Sequence, residues 1–179
     1  IIPTYNSANF IEKTLESLAH QIVLPEEIIV IDDGSKDNTV EIIKKWALNN
    51  KLLNIKLKQN HHQGPGEARN VGIQLSTGDW ISFLDSDDTW EPIKIYEVKK
   101  IIKKYKNINF ITHYEKFIDN NNKKSEISKK LKLFNNSKFD IKSYCYKSNI
   151  FSTSAVTCKK DLLIKFGNFD KKLPNAQDY

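Results

Sequence analysis

The chain has 179 residues, 39% hydrophobic and 28% charged, enough for one domain, or one domain and part of a second, around a real core. Its formal charge of +6 raises nucleic-acid binding, but Arg69 is the only arginine, and a chain almost without guanidinium groups is poorly equipped to read base edges. The expectation is no nucleic-acid partner. No stretch is apolar for long enough to span a bilayer and no signal peptide is visible. Cys145 and Cys158 follow no metal spacing and make no disulfide framework, so a reducing, cytoplasmic setting is the simpler reading. The chain contains no methionine and stops at Tyr179 without a tail, and the expectation is a piece of a longer protein.

In chain order, Ile1-Ile2-Pro3 reads as the end of a first strand, followed by Thr4-Tyr5-Asn6. Ser7 or Asn9 is placed to cap a helix on which Ile11, Leu15, Leu18 and Ile22 recur at helical spacing. After Pro25, residues 27–31 form a second buried strand that stops at Asp32-Asp33-Gly34-Ser35. A second helix starts near Asp37 to Thr39, with Val40, Ile43, Trp46 and Ala47 on one face. Leu53 to Leu57 reads as a third strand, and Gly64-Pro65-Gly66 opens a third helix carrying Ala68, Arg69, Val71, Gly72 and Leu75. The apolar run from Trp80 to Leu84 is a fourth, central strand.

After Pro92 a basic amphipathic helix is expected. Ile95, Val98, Ile102 and Tyr105 face inward, and Lys94, Lys99, Lys100, Lys103 and Lys104 face outward. Such a face is ordinarily solvated, and it is also open to peripheral contact with an anionic membrane. Asn109 to Tyr114 reads as a strand, residues 119–138 as a polar Lys/Asn-rich excursion, and Ser152 to Cys158 as a late strand before a short helix. The alternation predicts an α/β fold with a mainly parallel central sheet and helices on both faces. His61, His62 and His113 lack metal-ligand spacing and read as loop or strand residues.

In open sheets of this kind, ligands bind outside the carboxyl ends of the strands. Three strands deliver unusual polar residues to that edge: Thr4-Tyr5-Asn6, Asp32-Asp33 and Asp85-Ser86-Asp87-Asp88. Like charges so close repel one another and are costly to dehydrate. A hard divalent cation relieves both, and Mg²⁺ typically takes one or two carboxylates together with phosphate oxygens.

These segments resemble one family. Ile2-Pro3-Thr4-Tyr5-Asn6, then residues 29–37 (IVIDDGSKD), Ala68-Arg69-Asn70-Val71-Gly72, and Asp85-Ser86-Asp87-Asp88 with Trp90 and Pro92 are similar, in sequence and order, to the family 2 glycosyltransferases. Phe166-Gly167-Asn168-Phe169-Asp170 and Gln177-Asp178-Tyr179 look like that family's closing motif, although Gln177 stands where the family often has Glu. The resemblance implies a GT-A (Rossmann-like) fold over 1–179 as a single catalytic domain. Residues 1–117 would be its nucleotide-sugar-binding half and 118–179 its acceptor side. It implies a sugar transfer, usually inverting, from a UDP-sugar to a glycan or lipid-linked acceptor, with Mn or Mg as cofactor. Asp87 and Asp88 would hold the metal. Pro3, Thr4, Tyr5, Asp33, Arg69, Asp85 and Ser86 would hold the donor, with Tyr5 stacking on the base and Asp33 accepting the N3–H of uracil. Asp178 would be the general base.

Several of these roles have a plainer rival, and Asp178 is also an ordinary surface residue. Tyr5 is also an ordinary core aromatic, Asp33 a helix cap, and Arg69 a structural ion pair holding the acidic loop. Asp85 to Thr89 also fits the D-x-D-x-T of haloacid-dehalogenase-like phosphatases, with Asp85 as nucleophile and Asp87 as acid/base. A nucleotide-sugar-binding fold without turnover is a further alternative.

Overall fold

A computed structural model describes residues 1–118, the backbone of 124–127, and residues 152–170. Cys145, most of the Lys/Asn-rich excursion, and Gln177-Asp178-Tyr179 lie outside the described residues.

Three parallel strands, β1 (Ile2–Thr4), β2 (Ile28–Asp32) and β3 (Ile55–Gln59), lie in the order β1-β2-β3. The chain between them runs through α1 (Ile11–Ala19) and α2 (Thr39–Asn49), and α3 (Pro65–Leu75) leads on to β4 (Trp80–Ser82). Next come α4 (Lys94–Lys104), β5 (Phe110–Ile111), and a small antiparallel pair, β6 (Lys116–Ile118) and β7 (Lys124–Ile127). A 3₁₀ turn at Thr153–Ala155 precedes β8 (Thr157–Lys159) and α5 (Lys160–Lys165). β8 lies between β4 and β5 and is antiparallel to both.

The two three-stranded sheets meet at Ile1. Its amine donates to Ser82 O at 2.8 Å, and the Leu84 amide donates to Ile1 O at 3.0 Å, the pattern of a parallel ladder. β1 and the extension of β4 therefore lie side by side, and β8 alone runs against the rest.

β2 shows why this sheet is covered on both faces. Its residues are buried throughout, and alternate side chains go to opposite faces. Ile28 and Val30 pack with Ile11, Leu15, Leu18, Ile43 and Trp46 of α1 and α2. Ile29 and Ile31 pack with Ala68, against which Val71 also lies. Each such burial contributes roughly 1.5–3 kcal/mol. α3 approaches so closely that a Cβ on Gly72 would stand 2.5 Å from Ile1 Cγ2.

Several boundaries move. α1 ends at Ala19, and Ile22, expected on its apolar face, is 68% exposed; the chain has left the helix, and the Ile22 amide donates to Pro92 O. The helix entry is capped by backbone, since Ser7 O accepts from the Phe10 and Ile11 amides, not by the Ser7 or Asn9 side chain. β3 is shifted two residues on, and the late strand resolves into the 3₁₀ turn and β8. On α4, Tyr105 lies at the exposed end, whereas Lys94, expected outward, is buried.

Candidate active site

The polar ends of the strands are bonded to one another. The Asp33 amide donates to Thr4 O and the Asn60 amide to Asp32 O, both at 2.8 Å, which carries the β1, β2 and β3 ladders one step beyond the sheet. Asn6, at φ 49°, turns the chain after β1; its amide donates to Ser35 Oγ at 2.9 Å and its Oδ1 accepts from the Lys36 amide. Ser7 Oγ lies 2.7 Å from Ser86 Oγ, and Thr14 Oγ1 donates to Ser86 O at 2.8 Å. The three segments singled out in the sequence thus meet at one edge.

On one side of this edge, Pro3 and Thr4 are buried in β1, while Tyr5, just past the strand, is 41% exposed. Its ring stacks on His62 with centroids 4.2 Å apart and planes at 24°. Asp33 is buried, and its carboxylate accepts from the Gln63 and Gly64 amides at 3.0 and 2.8 Å. His62 Nδ1 is 2.9 Å from Asp33 Oδ2. Asp33 therefore caps the entry to α3, whose N-cap is Gly64, not the helix that follows it in sequence. Neighbouring Asp32 accepts from the Ser35 amide.

On the other side lies the acidic loop. Arg69, buried on α3, donates from Nη2 to Asp85 Oδ1 at 2.7 Å, and its guanidinium stands 5.3 Å from the Phe169 ring centroid. The positive φ of Gly167 and Asn168 turns the chain so that Phe169 reaches this position. Asn70 holds it there, accepting from its amide and donating to its carbonyl. The guanidinium is thus fixed from both sides, as the ion-pair reading expected.

Asp85 also donates its amide to Ser154 Oγ at 2.9 Å, and the Asp88 carboxylate hydrogen-bonds the same serine. Ser154 O accepts from Trp90 Nε1 at 3.0 Å and from Lys94 Nζ at 3.3 Å. Lys94 Nζ also sits 3.6 Å from the Trp90 ring centroid. This is why Lys94 turns inward: a backbone carbonyl and an aromatic face take its ammonium. Burial lowers its pKa to about 7, with Glu115 opposing. Sequence reading missed Ser154 and the inward Lys94, because nothing in helical periodicity distinguishes a lysine that anchors from one that is solvated.

Asp87 is exposed and makes no hydrogen bond or ion pair among the described residues. The Asp88 carboxyl is pushed up by burial and by the like charges of Asp85, Asp87 and Glu115, although Ser154 holds it down. No three His, Cys, Asp or Glu side chains among the described residues form a metal cage. One or two hard oxygens in a field short of positive charge fit a divalent cation that takes its other ligands from phosphate. Cys158 is buried, which pushes its thiol up to about 12, so it is no nucleophile. Asp178 lies outside the described residues.

The chain belongs to the family described as "Glycosyl transferase family 2", which it matches over residues 1–166. It is 30% identical over its full length to an uncharacterized glycosyltransferase of Haemophilus influenzae, of which it spans 58%. The crystal structure of Staphylococcus aureus TarS (residues 1–349) in complex with UDP-GlcNAc covers 99% of this chain at 28% identity and a TM-score of 0.76, and the chain spans 49% of that one. A Pyrobaculum calidifontis mannosyltransferase, solved with GDP-mannose and Mn²⁺, covers 96% of this chain and is spanned over 47% of its own length, at 20% identity and a TM-score of 0.71. The fold is GT-A, with its parallel sheet and helices on both faces. Among the described residues no helix is long and apolar enough to cross a membrane.

Proposed function

We propose that this domain transfers a sugar from a UDP-sugar to a hydroxyl of a glycan or lipid-linked acceptor, with inversion. The setting we favour is bacterial surface polysaccharide synthesis (capsule, O-antigen or lipooligosaccharide) at the cytoplasmic face of the membrane. One observation carries the reading: a single sheet edge joins an exposed aromatic beside a buried carboxylate, Tyr5 and Asp33, to an exposed carboxylate beside an Arg-paired one, Asp87 and Asp85. The first pair suits a planar base with an N–H donor, and the second suits a diphosphate with its cation. A TarS structure holds UDP-GlcNAc, whereas GDP-mannose on the same fold means that the base must be tested, not assumed.

In this reading Tyr5 stacks on uracil and Asp33 accepts its N3–H. Pro3 and Thr4 fix the backbone that presents Tyr5. Asp85 and Ser86 line the ribose and phosphate side, and Arg69 keeps Asp85 aimed. Asp87, with Asp88 beside it, holds Mn²⁺ or Mg²⁺, which when bound supplies Lewis-acid stabilisation of the charge that builds on the departing diphosphate. Asp178 takes the proton of the acceptor hydroxyl as its oxygen attacks the anomeric carbon and the bond to UDP breaks. The phosphatase alternative wants its nucleophile on a first strand, and Asp85 instead follows the fourth and is engaged by Arg69.

Calorimetric titration with UDP, GDP and phosphate, with and without Mn²⁺, tests the proposal. Selective, metal-dependent UDP binding that Asp87→Ala abolishes is expected. A GDP preference would overturn the donor assignment, and indifference to both nucleotides would overturn the reading itself.

A further inference from the structure

The residue that most needs explaining is His62. It lies in the loop between β3 and α3, 58% exposed at its side chain, where an imidazole ordinarily faces water. Instead its ring lies on Tyr5, 4.2 Å between centroids, and its Nδ1 is 2.9 Å from Asp33 Oδ2 and 3.2 Å from Asp33 O. Both neighbours of Nδ1 are acceptors, a setting that favours the tautomer with its N–H at that position. Gly34, in the left-handed region at φ +83°, makes room for this loop; a Cβ there would stand 3.3 Å from the His62 amide nitrogen.

The two contacts are those the proposed function requires of the base. Uracil would present a flat ring to Tyr5 and an N–H to the Asp33 carboxylate; His62 presents a flat ring to Tyr5, brings Nδ1 to 2.9 Å from the same carboxylate and hydrogen-bonds the Asp33 carbonyl. A base seated in that way overlaps the imidazole, because stacked rings at this spacing admit nothing between them. We infer that His62 is a built-in occupant of the base subsite, which the donor nucleobase must displace and which returns as the nucleoside diphosphate leaves. The inference rests on the base-site reading above.

The exchange is physically inexpensive. His62 is exposed and sits on a connecting loop, so moving it uncovers no core. Asp33 keeps its Gln63 and Gly64 amide donors throughout, so the carboxylate is never left bare. The apparent affinity for the nucleotide is reduced by the fraction of molecules in which His62 is in place. The same competition speeds product departure, a step that limits turnover in many enzymes. His62 thereby sets how tightly the base is held without contacting it in the bound state.

The test is calorimetric, with UDP and with inorganic pyrophosphate, each in the presence of Mn²⁺, on the native chain, His62→Ala and Tyr5→Ala. His62→Ala is expected to tighten UDP binding by roughly threefold to tenfold, the worth of one stacked, hydrogen-bonded ring, and to leave pyrophosphate unchanged. Unchanged or weakened UDP binding would overturn the inference, since the base would then use another face of Tyr5 or rely on His62 itself. An equal gain for pyrophosphate would overturn it too, showing a general loosening of the loop. Tyr5→Ala separates the two failures. If it weakens UDP while His62→Ala brings no gain, the base site stands and the displacement falls. If it leaves UDP binding unaltered, the base-site reading falls and takes the inference with it.

Discussion

On the side proposed for the base, Asp33 already has two backbone amides and an imidazole, and Tyr5 already has a ring against it. On the acidic-loop side, Asp87 has no partner among the described residues, and Asp88 is crowded by Asp85, Asp87 and Glu115. One side is closed upon itself; the other is left short of positive charge. The difference teaches that the two ends of a ligand would be met by different physics. At the proposed base end binding would exchange one set of contacts for another, giving selectivity with little net gain. At the proposed phosphate end it would satisfy groups that were previously costly, so most of the affinity should reside there.

The comparison breaks first at Asp87. Asp87→Ala should lower metal-dependent transfer by about a hundredfold to a thousandfold and leave the urea midpoint nearly unchanged, because an exposed side chain without partners supports little structure. A smaller loss would move the metal's main ligand to Asp88. Next comes Arg69→Met, which removes the guanidinium 2.7 Å from Asp85. It should destabilise the fold by about 2–3 kcal/mol in urea titration, below the fully buried case because Asp85 is partly exposed. Arg69→Lys should recover only part, since an ammonium lacks the planar fork.

Ser154→Ala sharpens the comparison on the acidic side. It leaves the Asp85 amide and the Asp88 carboxylate without their shared partner, at a cost of about 1–2 kcal/mol. It should also raise the metal concentration needed for half-maximal UDP binding, while base selectivity, measured as the UDP to GDP ratio, holds.

A pH-dependent effect concerns Lys94. Its folded pKa of about 7 lies below the ordinary 10.5, so between those values the unfolded chain binds the extra proton and stability rises with pH. Below about pH 7 the ammonium is buried in full and the cost is constant. Lys94→Met should flatten the rise in urea midpoint between about pH 7 and about pH 10; a slope equal to the native one would assign it to other groups.

Much of this was legible in the sequence, for identifiable reasons. Continuous apolar runs such as Ile28 to Ile31 mark a strand buried on both faces, and Asp85 to Asp88 announces itself by charge density. Arg69 stood out because the chain uses lysine elsewhere, and its ion pair with Asp85 is the plainer of the two roles considered for it. Less legible was anything that depends on distant partners. Asp85 and Ser154 are 69 residues apart, and no local pattern connects them. Lys94 was assigned to the wrong face because helical spacing does not reveal a carbonyl and an indole ring waiting below. His62 read as an ordinary loop residue because its two partners come from the ends of two other strands.

The placement of β8 has a consequence for how the chain is made. Residues 153–159 supply both the serine beneath the acidic loop and the strand that joins β4 to β5. At roughly 5–20 residues per second of synthesis, Asp85 exists for several seconds before Ser154 does. The parallel strands β1 to β3 can assemble on the ribosome in that interval, but the edge of β4 stays open and the carboxylates stay unclamped. A nascent chain paused there would resemble a finished parallel sheet with its acidic loop still unset, and that pause is where misfolding of this domain should begin.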